Sequence, residues 1–197
     1  EAGARADPLS DSVSATLSRQ YLLLGMDEAF EREVERSRRE IGAVPAHDVW
    51  RLVQLLDEHA PLEEILALQD RACRPVNVEE CAEGRAILES STDDARQKLI
   101  DRLTRQRETT PWQAHSTAWL AAYLGENALA LEAWRVFDPV GAGANYQLIW
   151  APLFSEMRQL PEFKTFVEDA GFLEVWRETG DWGDYCRPVG ANDFECA

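Results

Sequence analysis

Apolar side chains recur at steps of three and four along most of the chain, the period of one face of an α-helix. Leu9, Val13, Leu17, Tyr21 and Leu24 form the first stripe, over Pro8 to Leu24, with Asp7 or Ser10 placed to cap its start. Gly25 ends it. Met26 to Ile41 then predicts a highly charged helix closed by Gly42, in which Glu31, Arg32, Glu35, Arg36 and Arg39 pair along a solvated outer face. Together the two segments predict an antiparallel helical hairpin. A second hairpin is expected from Pro45 to His59, carrying Val49, Leu52, Val53 and Leu56, and a helix from Pro61 that carries Leu62, Ile65, Leu66 and Leu68 and stops before Pro75. The third joins Val78–Glu89 to Asp93–Arg107 at Ser90-Ser91-Thr92; the fourth joins Pro111–Leu124 to Asn127–Phe137 at Gly125.

The turns near Gly25, Ala60, Ser91 and Gly125 are spaced by 35, 31 and 34 residues. A two-helix unit repeating at about 34 residues is the tetratricopeptide period, in which each hairpin buries one face on the next. In the fourth hairpin Ala118, Ala121, Gly125, Ala130 and Trp134 resemble the small-small-Gly-Ala-bulky pattern of that repeat, and the first supplies Leu17, Tyr21, Gly25 and, one residue early, Ala29. The second and third match in length and hairpin form only. The resemblance implies an all-α fold: a right-handed α-solenoid of four hairpins over residues 1–137.

Past Phe137 the breaker-rich stretch 138–144 opens a different region. Tyr146 to Met157, Pro161 to Ala170 and Phe172 to Glu178 predict helices, and the tail from Asp181 to Ala197 reads as loop. Residues 138–197 are thus expected to be capping helices and a tail packed on the array. Within them, Phe154 to Pro188 resembles the segment that closes tetratricopeptide-type regions of bacterial multidomain regulators, through Arg158, Pro161, Phe163, Phe166, Gly171, Trp176, Gly180, Trp182 and Cys186. In that group the region follows a winged-helix DNA-binding domain or a nucleotidyl cyclase domain, often across a membrane helix. The resemblance implies the regulatory or sensory part of a larger signalling protein, periplasmic if membrane-anchored and cytoplasmic otherwise. The first residue, Glu1, is not Met, as expected of a processed chain or a piece of a longer one.

Charge narrows the partners. The 197 residues carry 20 Lys plus Arg against 36 Asp plus Glu, a net charge of −16, which disfavours direct contact with nucleic acid or anionic membranes. No stretch reaches the roughly 18 apolar residues of a spanning helix, so no membrane insertion by this segment is expected. A hydrophobic content of 45% with seven Trp is that of a packed chain.

Catalytic motifs are missing. His47, His59 and His115 fall in separate segments, and no metal-binding helix, nucleophile elbow or phosphate-binding loop is present, so a non-enzyme without cofactor or metal is expected. Cys73 and Cys81 lie eight apart, Cys186 and Cys196 ten apart. They read either as four small buried thiols or as two local disulfides formed in an oxidising compartment.

In tetratricopeptide arrays the first helix of each hairpin lines the concave groove. On that register Arg19, then His47, Trp50 and Gln54, then Arg85, then Trp112, His115, Trp119 and Tyr123 face inward. Aromatic anchors beside arginines suit a peptide's acidic groups or terminal carboxylate, so a peptide, protein or small effector is the expected partner. The competing reading packs the aromatic stripe of the fourth hairpin against the capping helices and pairs the arginines with neighbouring helices. A different function, that of a structural spacer or dimerisation element orienting an output domain, would use the same stripe for self-association.

Overall fold

The structure is a computed structural model and describes residues 9–42, 44–72, 78–137, 145–190 and 193–197. It is mostly helical, with eleven α-helices and one two-stranded sheet among the described residues. The chain divides into two compact units, Glu1–Ser90 and Ser91–Ala197. The division falls inside the third expected hairpin.

The first unit holds α1 (Asp11–Leu23), α2 (Asp27–Glu40), α3 (Pro45–Asp57), α4 (Leu62–Ala72) and α5 (Val78–Leu88). Ser10 caps α1, its Oγ accepting from the Val13 N–H at 3.2 Å. Helix α1 packs on α2 and on α3, and α3 packs on α4. The turn after α1 is a Schellman motif: Gly25 has φ +64°, its N–H donates to the Leu22 carbonyl, and the Met26 N–H donates to that of Tyr21. The turn after α3 has the same bonds, His59 N–H to Leu56 and Ala60 N–H to Leu55, but the left-handed position is held by His59 at φ +48°. His59 lies 34 residues after Gly25 and takes the place of the glycine that the second hairpin lacks.

The expected stripe of α1 is buried only in part: Val13, Leu17 and Tyr21 are half-buried, Leu9 and Leu24 are exposed, and the fully buried positions beside them are Ser14 and Ser18. Two serines one turn apart allow close approach of neighbouring helices; the Ser14 hydroxyl is buried with partners, whereas that of Ser18 has none among the described residues.

The second unit holds α6 (Thr92–Thr109), α7 (Ala114–Tyr123) and α8 (Asn127–Val136), followed by α9 (Ser155–Arg158), α10 (Pro161–Asp169) and α11 (Phe172–Thr179). Helices α7 and α8 pack closely across a third turn of this kind, at Gly125, φ +76°. Ala118, Ala121, Ala130 and Trp134 are all fully buried, as the small-residue pattern requires. The helix expected over Tyr146 to Met157 is instead two 3-10 turns, Asn145–Trp150 and Pro152–Phe154, and the single turn of α9. Pro152 lacks the N–H that a continuous helix needs and its ring clashes with the preceding turn.

The tail is not loop. Strands β1 (Cys186–Val189) and β2 (Asp193–Cys196) form an antiparallel hairpin pairing Cys186 with Cys196 and Pro188 with Phe194. The Cys186–Cys196 disulfide closes its open end, and Arg187 pairs with Glu195 across it. Pro188 and Gly190, residues that argue against helix, suit a short edge strand and its turn. Of the other expected features, Asp7, Cys73 and the stretch 138–144 lie outside the described residues; Cys81 is not a free thiol.

Candidate functional site

In the first unit a polar cluster lies inside α1, α2 and α3. Ser14 Oγ donates to Glu33 Oε1 at 2.6 Å and stands 3.2 Å from His47 Nε2. Ser37 Oγ lies 3.3 Å from His47 Nδ1 and 3.2 Å from the Val34 carbonyl. Glu33 also receives Arg36 in a two-pronged pair, Nε to Oε2 at 2.9 Å and Nη2 to Oε1 at 2.5 Å. Ser14, Glu33, Ser37 and His47 are all buried. Spacing explains the assembly: Glu33 and Ser37 are one turn apart on the face of α2 that also carries Phe30, and Pro45 starts α3 so that His47 enters in its first turn.

Because Ser14 spends its proton on Glu33, its lone pair is left to accept from Nε2–H of His47; Ser37 has one proton for two acceptors, the Val34 carbonyl and the Nδ1 of a neutral His47. Burial lowers the basicity of His47 below the ordinary imidazole value, although Glu33 opposes this. Burial pushes the Glu33 carboxyl up, but the bonds from Arg36 and Ser14 outweigh it and hold it below the usual carboxylate range. A serine nucleophile would need an accessible Oγ and an imidazole oriented by an acid; here Ser14 has no exposed surface and the group on Nδ1 is a hydroxyl. The cluster joins three helices.

On two of these helices, Arg19 of α1 places its guanidinium 5.7 Å from the ring centre of Trp50 on α3. Burial lowers the Arg19 pKa. The Trp50 indole N–H is buried with no acceptor among the described residues, as is the Ser18 hydroxyl.

The other expected groove residues are placed as follows. Gln54 bridges Asp27 at 3.2 Å and Glu58 at 2.9 Å while accepting from Arg51. Arg85 is held by Asp70 of α4 at 3.0 Å and by Glu89. His47 is not a groove residue; its ring is enclosed by the cluster above. In the second unit Trp119 is 4% exposed and packs on Phe154 at 4.8 Å between ring centres, so it is a core residue of that unit and not a surface anchor. Residues Thr117 to Ala122 are buried without a break, which leaves α7 no open inner face along that run. Trp112 is 43% exposed, and its carbonyl accepts from His115 Nδ1 at 2.8 Å. His115 also meets Phe137 edge to face, and Tyr123 is half-buried.

An aromatic cluster forms in the second unit. Trp150 stacks on Tyr185, Phe163 and Trp176 meet Trp150, and Trp182 and Phe194 meet Trp176. Arg158, buried among them, donates to the carbonyls of Ile149 and Ala151, each at 3.0 Å. In α6 the buried Arg102 donates to Thr117 at 3.0 Å and Ser116 at 2.9 Å, while Thr117 donates to Gln106 at 2.7 Å. Among the described residues no group of three metal-ligating side chains occurs, and no helix is long and apolar enough to cross a membrane.

Ser14, Glu33, Ser37 and Arg102 are absent from the sequence-based set. A Ser-x-x-x-Ser and a Glu-x-x-x-Ser on successive helices were the available signals, and such pairs ordinarily face solvent. Comparison of the chain with protein-family models, with curated proteins and with solved structures finds no match.

Proposed function

We propose that this chain is a non-enzymatic helical-repeat module that binds a protein, peptide or small effector as the regulatory part of a larger bacterial protein. In this reading the hairpins stack as a right-handed tetratricopeptide-like solenoid. The observation that carries it is the pairing of Arg19 with Trp50, two residues assigned to the inner face by register and contributed by the first helices of successive hairpins. The Trp50 N–H itself is buried and has no acceptor among the described residues, so the surface offered to a ligand carboxylate is the guanidinium of Arg19 and the ring of Trp50. The repeated turn chemistry at Gly25 and His59 supports the repeat reading. The Cys186–Cys196 disulfide supports an oxidising, periplasmic setting.

The test is an array of acidic peptides with free and amidated C-termini, bound to the full chain, with affinities of the hits measured in solution. Arg19→Ala and Trp50→Ala, each checked for folding by circular dichroism, should weaken binding about tenfold or more. Equal affinity in both folded variants, or an array without a hit, removes the peptide-carboxylate reading.

The exposure of Trp112 favours a second reading, self-association of a spacer domain. Sedimentation over a wide concentration range tests it, and a monomer throughout overturns it.

A further inference from the structure

We propose that His47 is an acid-released latch: neutral, it ties α3 to α1 and α2, and on taking up a proton it lets α3 come away. The burial of the ring carries this: His47 is 7% exposed, and both of its ring nitrogens face hydroxyls, not a carboxylate. Among the described residues Glu33 is the carboxylate that His47 reaches through a hydrogen-bonded neighbour, and the Arg36 guanidinium already occupies both of its oxygens. Ser14 stands between the imidazole and that carboxylate, so no direct ion pair forms.

A protonated His47 would carry its charge on a ring with almost no access to water, where the attraction of Glu33 outweighs the repulsion of the part-exposed Arg36 but not the cost of burial. The groups around His47 are Ser14 from α1; Glu33, Arg36, Ser37 and the Phe30 ring from α2; and Asp48 from its own helix. Glu40 also belongs to the account, because it takes Arg36 Nη1 at 3.0 Å from the exposed side, where water screens it. Helix α4 contributes Ile65, Leu68, Gln69 and Ala72 to the interior, none of them charged. Ser37 can satisfy a protonated Nδ1 by turning its own proton to the Val34 carbonyl, so the hydrogen bonds do not resist protonation. What resists is burying the charge.

The sign follows. Burial depresses the folded-state basicity of His47, whereas the open form titrates at the ordinary value of 6.5. Above that value both forms are neutral and the latch is closed. Below it the open form takes the proton first, and opening gains about tenfold per pH unit until the folded imidazole itself titrates. Glu33, held below the carboxylate range, does not titrate in this window.

Hydrogen exchange on the full chain from pH 8 to pH 5, corrected for intrinsic rates, tests the latch. Amides of residues 45–57 should lose protection below about pH 6.5 relative to α7 and α8 in the same molecule, by about tenfold per unit. In His47→Gln, which keeps a donor and an acceptor without a titrating group, that differential loss should vanish. An equal pH course for both sets of amides, or the same differential loss in His47→Gln, overturns the latch. If the variant does not fold, the imidazole of His47 is titrated by NMR in the unaltered chain: a value below 6.5 with opening of α3 supports it, and any other result overturns it.

Discussion

The Arg158 Nε donates to the backbone carbonyl of Ala197 at 2.6 Å, spanning 39 positions of chain, while Nη1 of the same guanidinium holds Ile149 and Ala151. Its face lies 4.9 Å from the centre of the Tyr185 ring. One buried cation thus ties the end of β2, the turns before α9 and the aromatic cluster of the second unit. A planar fork with five donors on a charged group can do this; an ammonium cannot.

Arg158→Met should therefore cost about 3–5 kcal/mol, because three carbonyls lose a charged donor inside the protein. Arg158→Lys should recover only part of that. Urea unfolding followed by near-ultraviolet circular dichroism of the tryptophan cluster measures both.

The Cys186–Cys196 disulfide closes a loop of about ten residues, for which the chain-entropy account gives about 3 kcal/mol. The double variant Cys186→Ser/Cys196→Ser should lose about that much. Peptide mapping after alkylation without reductant should leave both cysteines unmodified in the unaltered chain.

His59→Gly should stabilise the first unit by about 1 kcal/mol, since a side chain in the left-handed region costs about 1–2 kcal/mol that glycine does not. A shift of the thermal midpoint upward is the readout. Gly25→Ala, at φ +64° with open space around its Cβ, should lower it by a similar amount.

Trp119→Ala and Trp50→Ala should behave differently. The first empties a core position against Phe154 and should cost about 3–5 kcal/mol. The second removes a half-buried ring and should cost less, with its main effect on ligand affinity. Chemical denaturation of the two variants side by side separates them.

Glu33 sets the acid limb of stability. Its folded carboxyl is held below the ordinary 4.5, so the stabilisation is complete above that value and is lost as the pH falls through the lower folded one. Glu33→Gln should flatten the stability profile below about pH 4.5 and, by leaving Arg36 without its close partner, cost about 3 kcal/mol at neutral pH. Equilibrium unfolding at closely spaced pH values gives the profile.

Much of this architecture is legible locally. Ser10, Gly25, Gly125 and Gly171 act through their own side chains or lack of one, and they mark helix ends where the structure has them. Pro161 and Pro45 start helices for the same kind of reason. The small-residue spacing of Ala118, Ala121 and Ala130 likewise foretold the tight pairing of α7 with α8. Of the residues expected on an inner face, Arg19 and Trp50 meet where α1 packs on α3.

The rest required tertiary structure. An amphipathic period says that one face is buried but treats serine, glutamate and histidine as outer residues; α1, α2 and α3 bury all three because each satisfies another. Trp119 looks like a groove anchor until Phe154, 35 positions on, covers it. The tail reads as loop until Cys186 meets Cys196 and Phe194 finds Trp176. Turns, caps and helix starts depend on the conformational preference of one residue and its near neighbours, so the sequence alone determined them. Burial of polar groups, pairing of strands and the fate of an aromatic stripe depend on which distant positions come together, and that only the folded chain decides.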